Sequence, residues 1–267
     1  MNYITRFIKD IRKYWGYAIY SGKCELKAEV ANSYLNWLWW VIEPLCFMGI
    51  YTFVFGYLFG SKEPHFTVFV YIGVSLWDFF NHMIMSSVKI VRNNKSVVSK
   101  VYIPKYVLIL VKLYVNLFKL MICYVLLIIL MLLNGITFAP RMLWLVPITI
   151  SLCSFTFGFC CILLHLGVFI DDLGNVVRIG LRMMFYLTGV FYNLHEKLGK
   201  KIGPKWAGWL GHINPMSSVM YQARRALIYE KTPNVRFVVA WFCIGLCISI
   251  IGIITIYKNE NNYVKMI

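Results

Sequence analysis

The sequence predicts an all-α integral membrane protein with six transmembrane helices, an N-terminal amphipathic interface helix and two short re-entrant helices between spans five and six. Three observations carry that prediction. Of 267 residues, 60% are hydrophobic and 14% charged, and the mean hydropathy is +0.67; an average soluble domain is about 45–50% apolar and about 25% charged. Six apolar stretches approach the roughly 20 residues that a helix needs to cross a hydrocarbon core about 30 Å thick. Lys and Arg are also distributed very unevenly among the segments that join those stretches.

Before the first span, Ile4, Phe7, Ile8, Ile11, Trp15, Ala18 and Ile19 recur at helical spacing. Arg6, Lys9, Asp10, Arg12 and Lys13 fill much of the other face. This pattern predicts an amphipathic helix lying on the inner membrane surface; packing against a partner protein is the alternative. The spans follow as Trp37–Phe59, Phe66–Val88, Tyr106–Leu133, Met142–Ile170, Val176–Tyr192 and Phe237–Tyr257. The fifth is short and carries Arg178 and Arg182, which places its lower end at the headgroups. Residues 193–236 are too apolar for a solvated loop, with Trp206, Trp209 and Leu210, and too interrupted by Gly and Pro for a span. Irregular backbone at membrane depth needs protein or a water-filled cavity around it. The segment therefore reads as two short helices dipping back into the membrane, begun by Pro204 and by Asn214–Pro215. Residues 1–267 form one membrane domain: an N-terminal segment 1–34, spans one to five over 37–192, the external segment 193–236, and span six over 237–257.

Orientation follows from charge. With the N-terminus inside, the inner segments hold Arg6, Lys9, Arg12, Lys13, Lys23, Lys27, Lys89, Arg92, Lys95, Lys100, Lys105, Arg178, Arg182, Lys258 and Lys265, whereas the two short outer loops hold Lys62 and Arg141. That asymmetry predicts a multi-pass plasma-membrane protein with both termini cytoplasmic. Residues 193–236 break the pattern with Lys197, Lys200, Lys201, Lys205, Arg224, Arg225, Lys231 and Arg236. The net charge of +16 reflects topology and anionic lipid rather than nucleic acid, because no nucleic-acid recognition spacing is present. Seven of the eight cysteines lie in apolar runs, which speaks against a secreted disulfide framework.

No catalytic motif emerges. A nucleotide loop needs GxxxxGK[ST] after a strand; the nearest string, YAIYSGKC at 17–24, lacks the first Gly and the hydroxyl. ATP and Mg, if used, belong to another polypeptide, and no cofactor or metal is expected on this chain. Asp171 and Asp172 read as a cap or as partners of Arg178. Asp78 and His82 share a helix face and read as a mutual hydrogen bond rather than a relay. Lys105, Lys112 and Lys119 are spaced by seven. Lys119 lies near mid-membrane, where a lysine faces a bundle interior or an aqueous path; pairing with Glu43 or a carbonyl is the alternative. Trp37, Trp39 and Trp40 sit where an interfacial belt is expected, although aromatic faces also suit sugar rings. Phe185, Tyr186, Phe191 and Tyr192 are stronger path-lining candidates.

The strings LKAEVANSYLNWLWWVIEP (26–44), FVFGY (53–57), IGVSLWDFF (72–80), KIVRNNKSVVSKVYIPK (89–105), RMMFYLTGVFYNL (182–194) and INPMSSVMYQARRALIYEK (213–231) together resemble the membrane subunit of ABC-2-type polysaccharide exporters, and most nearly the teichoic acid translocation permeases. The chain departs from that pattern in carrying Asp171-Asp172 after span four and Arg224-Arg225 in the second re-entrant helix. The resemblance implies a homodimer joined to two cytosolic ABC ATPase subunits. It also implies a cargo of teichoic acid or polysaccharide such as O-antigen, borne on an undecaprenyl-diphosphate-type lipid.

In that setting Arg92, Asn93, Lys95, Ser96, Ser99, Lys100, Asp171 and Asp172 would receive the ATPase, with 92–100 a short coupling helix and Pro104 starting span three. Trp37, Trp40, Lys112, Lys119, Phe185, Tyr186, Phe191 and Tyr192 would line the path. Arg6, Lys9, Arg12, Lys13, Lys27, Arg224 and Arg225 would contact headgroup or polymer charge. The rival functions are a polyprenyl-glycan transferase, a small-molecule drug or lipid exporter, and a channel or secondary transporter. The first needs a carboxylate or His cluster, and the last needs inverted repeats; neither is visible.

Overall fold

The computed structural model describes residues 3–31, 36–61, 63–197, 203 and 211–265, and no strand occurs among them. Helix α1 is Tyr3–Ala31. A 3-10 turn at Asn36–Leu38 leads into α2, Trp39–Tyr51, which passes into a π-helical turn at Thr52–Leu58. Then come α3 (Phe66–Val88), α4 (Ile90–Asn93), α5 (Lys95–Val98) and α6 (Lys105–Leu133). Another 3-10 turn at Pro140–Trp144 opens α7 (Leu145–Phe169), followed by α8 (Leu173–Leu187), α9 (Pro215–Leu227) and α10 (Val235–Lys265).

Five helical stretches among the described residues are long and apolar enough to cross a membrane: Trp39–Leu58, Phe66–Val88, Lys105–Leu133, Pro140–Phe169 and Val235–Tyr263. The predicted fifth span is different. Its helix α8 has 15 residues, about 22 Å at 1.5 Å per residue, which falls short of a core about 30 Å thick. It stops at Leu187 because Gly189 adopts φ +76° and turns the chain back. The second predicted re-entrant helix exists as α9: Asn214 caps it, its side chain accepting from the amides of Met216 (3.0 Å) and Ser217 (3.4 Å), and Pro215 occupies the first turn. The first predicted re-entrant helix, with Lys200, Lys201, Pro204, Lys205, Trp206, Trp209 and Leu210, lies outside the described residues, as does Lys62.

Helix α3 is the central element: every residue from Val68 to Trp77 is buried, and its polar residues Asp78, Asn81 and His82 follow in the next turn. Helices α7 and α10 form the most extensive pairing and run parallel. Their backbones approach closely because Gly158, Gly245 and Gly252 lie at the seam; a Cβ on Gly245 would stand 2.5 Å from the Phe155 amide nitrogen. Ser151 and Ser154 donate across it to the carbonyls of Val238 (3.1 Å) and Phe242 (3.2 Å). On α6, Phe118, Met121, Val125, Ile128 and Leu132 form an exposed stripe at helical spacing, suited to acyl chains.

Helix α1 does not bind the rest of the chain as a simple apolar stripe. Phe7, Ile11, Tyr14, Tyr17 and Ala18 pack inward, while Ile8 and Trp15 remain exposed. Its acidic residues face the bundle. Glu25 pairs with Lys112, and Glu29 with Lys119 at 2.6 Å. Near its start, Arg6 donates to Glu260 (2.8 Å) and to the Tyr102 hydroxyl (2.5 Å), and Tyr102 donates to Glu260 (2.8 Å). Asp10 accepts from Tyr257 (2.8 Å), whose hydroxyl meets that of Tyr106 at 2.9 Å. These contacts lock α1, the 99–104 loop, α6 and α10 together at one end of the bundle. The start of α1, the 89–104 loop, the connection from α7 to α8 and the end of α10 gather there, and it is called the basic end below.

Candidate conduit and coupling surface

A cleft of about 850 Å³ opens between α2, α3 and α8. Helix α2 contributes Phe47 and Tyr51, α3 contributes Val74, Trp77, Asp78, Asn81 and Met85, and α8 contributes Arg178, Leu181, Arg182, Phe185 and Tyr186. Spacing explains the α8 wall: 178, 181, 182 and 185 fall on one helix face. Above the cleft, Phe185 meets Trp77 (centroids 5.3 Å apart) and Phe191 (5.1 Å), and Phe191 stacks on Phe55 at 4.5 Å.

The four aromatics nominated from sequence therefore divide. Phe185 and Tyr186 line the cleft, and Tyr186 is 65% exposed. Phe191 is buried behind them as packing. Tyr192 is turned away from the cleft, donating to the Tyr186 carbonyl at 2.7 Å, with Lys197 4.7 Å from its ring centre. Trp37 is exposed and Trp40 packs edge-on to Phe118 at 6.0 Å; neither lines the large cleft.

Behind Asp78 lies a second, small cavity of about 90 Å³, lined by Trp40, Glu43, Asp78, His82, Asn116 and Lys119 among others. Lys119 thus does reach a polar interior, but its partner is Glu29 on α1, with Trp40 below its ammonium at 5.6 Å, rather than Glu43 or a carbonyl. Lys112 is likewise held by Glu25 and stays out of the large cleft. A lysine at membrane depth is stabilised by such a carboxylate partner. Asp78 and His82 form no carboxylate–imidazole bond; the ring Nδ1 contacts the Asp78 carbonyl at 2.8 Å.

At the basic end the predicted coupling helix is two four-residue helices, α4 and α5, broken at Asn94, whose side chain bonds back to the Ile90 carbonyl at 2.8 Å. Pro104 does stand at the N-cap of α6. Ile90, Val91 and Val98 are buried, so the loop is anchored by its apolar residues, while Asn93, Lys95, Ser96, Ser99 and Lys100 stay accessible. Ser99 also bonds back to the Lys95 carbonyl at 2.7 Å. Arg92 forms an ion pair with Asp171 and donates to the Val168 carbonyl at 3.0 Å. Asp171 is therefore tied to Arg92, not to Arg178, and the two expected coupling loops are physically joined. Asp172 occupies the N-cap position of α8 but makes no side-chain cap bond.

The charge-contact residues also divide. Lys9, Arg12, Lys13 and Lys27 are exposed on α1, whereas Arg6 is committed to Glu260 and Tyr102. Arg224 is not at a surface at all. It is 4% exposed, and its guanidinium donates to the carbonyls of Gly189 (2.8 Å), Val190 (2.7 Å) and Phe69 (3.1 Å) while lying 3.4 Å over the Phe69 ring. Gly73 leaves the slot it fills: a Cβ there would stand 2.6 Å from its Nη2. The signal was legible, since Arg224 shares a helix face with Ser217 and Met220, which are buried. Arg225 is half-buried beside Tyr221, 5.9 Å from its ring centre.

Membrane-crossing helices, a side-opening aromatic cleft and an ion-paired loop surface at one end suit a transport component. Residues 22–228 match the ABC-2 type transporter family. The chain belongs to that family. This ABC-2 chain is similar to the O-antigen export system permease protein RfbA of Klebsiella pneumoniae, being 25% identical over 244 residues that cover 91% of this chain and 92% of that protein. It is also similar to the O-antigen export system permease protein RfbA of Myxococcus xanthus, at 26% identity over 231 residues, 85% of each. Such family members are transport subunits, not enzymes.

Proposed function

We propose that this ABC-2 subunit is the permease of an ATP-driven exporter that moves a lipid-linked surface polysaccharide across the plasma membrane. The cargo is of the O-antigen type, in keeping with the names of the relatives, rather than teichoic acid. The observation that carries this is the cleft of about 850 Å³ walled by Phe47, Tyr51, Trp77, Phe185 and Tyr186. Aromatic faces bury the CH faces of sugar rings while hydroxyls stay wet, and they do so in series along a path. Helix α2 and its π-helical turn expose Phe47, Ile50, Phe53 and Tyr57, of which Phe47 lines the cleft. A second copy of the chain closes the path from there, making a homodimer. Two ABC ATPase subunits, which bind ATP and Mg, press on the accessible residues of 92–100. The Arg92–Asp171 pair passes that motion to the start of α8 and hence to one wall of the cleft. In this orientation the basic end and both termini are cytoplasmic.

Reconstitution of the chain with its ATPase partner in proteoliposomes tests this. Lipid-linked glycan is expected to stimulate ATP hydrolysis and to become accessible to a glycosidase on the far side. Turnover of a sugar donor by the chain alone, or stimulation by drugs and not by glycan, would overturn it.

A further inference from the structure

We propose that Arg178 and Arg182 form a binding site for a phosphate or diphosphate ester at the basic-end half of the cleft. This rests on the preceding assignment of the cleft to substrate, and it names the group by which substrate is held. The two arginines are four residues apart on α8, so their side chains leave one face about 6 Å apart along the axis. Both line the cleft. The hydrophobic stripe of α8 lies elsewhere, with Val176, Ile179, Met183 and Leu187 exposed on a separate face.

Their side chains are uncommitted, as are those of Arg12 and Arg236, but Arg178 and Arg182 line the cleft and those two do not. Arg6, Arg92 and Arg141 each hold a carboxylate, and Arg224 holds three carbonyls. Arg178 and Arg182 make no ion pair or hydrogen bond among the described residues. Topogenic arginines extend freely to the aqueous interface. These two are exposed as well, but they also border an aromatic cavity, beside which attraction for an anion is stronger than in open water. Planar guanidinium forks bind phosphoryl oxygens in pairs, and two forks on one helix face match a group with several such oxygens. On the opposite wall Asn81 offers an amide, and Asp78 is the carboxylate that faces the cleft. Phe185 and Tyr186, one turn further along, are placed to receive the adjoining sugar.

The test uses the full chain in nanodiscs, with binding of undecaprenyl diphosphate, inorganic pyrophosphate and undecaprenol measured separately. For Arg178→Gln/Arg182→Gln, affinity for the diphosphates should fall by about tenfold or more, since charge-assisted bidentate contacts are lost. Arg236→Gln/Lys258→Gln on α10, both exposed and outside the cleft lining, should leave it unchanged. Phenylglyoxal labelling of the wild type, mapped to Arg178 and Arg182, should be blocked by the same ligands; it requires no variant to fold. Protection by both diphosphates assigns the affinity to the phosphate group itself, and protection by the lipid alone assigns it to lipid-borne diphosphate. Equal binding of undecaprenol, or unchanged diphosphate affinity in the double variant, would overturn the site. Glycan export that continues with unchanged binding in that variant removes this site and leaves export standing. Diphosphate binding through these arginines without any glycan transport does the reverse.

Discussion

Replacing Arg224 by Met removes the clamp that holds α9 against α3 and the turn after α8. The guanidinium makes four hydrogen bonds to three carbonyls. Phe69 sits inside α3 and keeps its helical hydrogen bond, but the carbonyls of Gly189 and Val190 lie in the turn. Leaving those two buried and unpaired costs about 1–3 kcal/mol each. Loss of the stacked cation over Phe69 adds about 2 kcal/mol in a desolvated site. Relief from burying a charge offsets part of this, so the net loss is about 3 kcal/mol. Arg224→Lys should recover only a fraction, because one ammonium does not span three carbonyls. Gly73→Ala should mimic the defect while keeping the arginine, by placing a methyl 2.6 Å from Nη2. The assay is thermal unfolding of the purified chain together with amide hydrogen exchange across 187–193. A Met variant that unfolds with the wild type and protects those amides equally would refute this reasoning.

Charge reversal across the coupling surface gives a second prediction. Arg92→Asp or Asp171→Arg alone should abolish glycan-stimulated ATPase activity, while changing stability by less than about 1 kcal/mol because the pair is partly exposed; combining them should restore coupling. Third, Glu29→Gln should lower the melting temperature more than Glu29→Gln with Lys119→Met, because the single variant leaves a membrane-depth cation without its carboxylate; the opposite ranking in a thermal-shift series would contradict the pairing. Fourth, burial, aided by Arg224 and Arg225, holds His195 down to about 4, and burial beside His195 and Arg225 holds His212 down to about 3. The unfolded chain takes up those protons first, near the ordinary 6.5, so their contribution to stability should fall as pH drops from about 6.5 towards 4 for His195 and towards 3 for His212. Melting curves from pH 7.5 to 4.5 should show this slope, flattened in His195→Gln/His212→Gln; stabilisation on acidification would count against it.

Much of the fold was legible because it follows from hydrophobic length. Helix α3 occupies Phe66–Val88 as read, and Pro104 opens α6. Helix α8 was overextended because the apolar string past Leu187 looks like span, whereas Gly189 reverses the backbone within it. The site was legible in its residue types more than in its partners. Lys119 was marked as needing one, but Glu29 lies 90 positions away and no local spacing links them. Arg92 and Asp171 were placed on the same surface without being recognised as a pair. Arg224 was misjudged because its charge outweighed the face it occupies. Arg178 and Arg182 were set aside as interfacial charges, and only the packing of α8 on α3 puts them into a cleft.

Site-specific photo-crosslinking during export tests the path most directly. With p-benzoylphenylalanine at Phe185 or Tyr186, irradiation should yield glycan-bearing adducts that disappear when the ATPase is inactive. The same probe at Ile128 or Ile244, exposed elsewhere on the bundle, should yield none. Glycan adducts at Ile128 or Ile244 in place of Phe185 and Tyr186 would place the path outside the cleft between α2, α3 and α8 and contradict the mechanism.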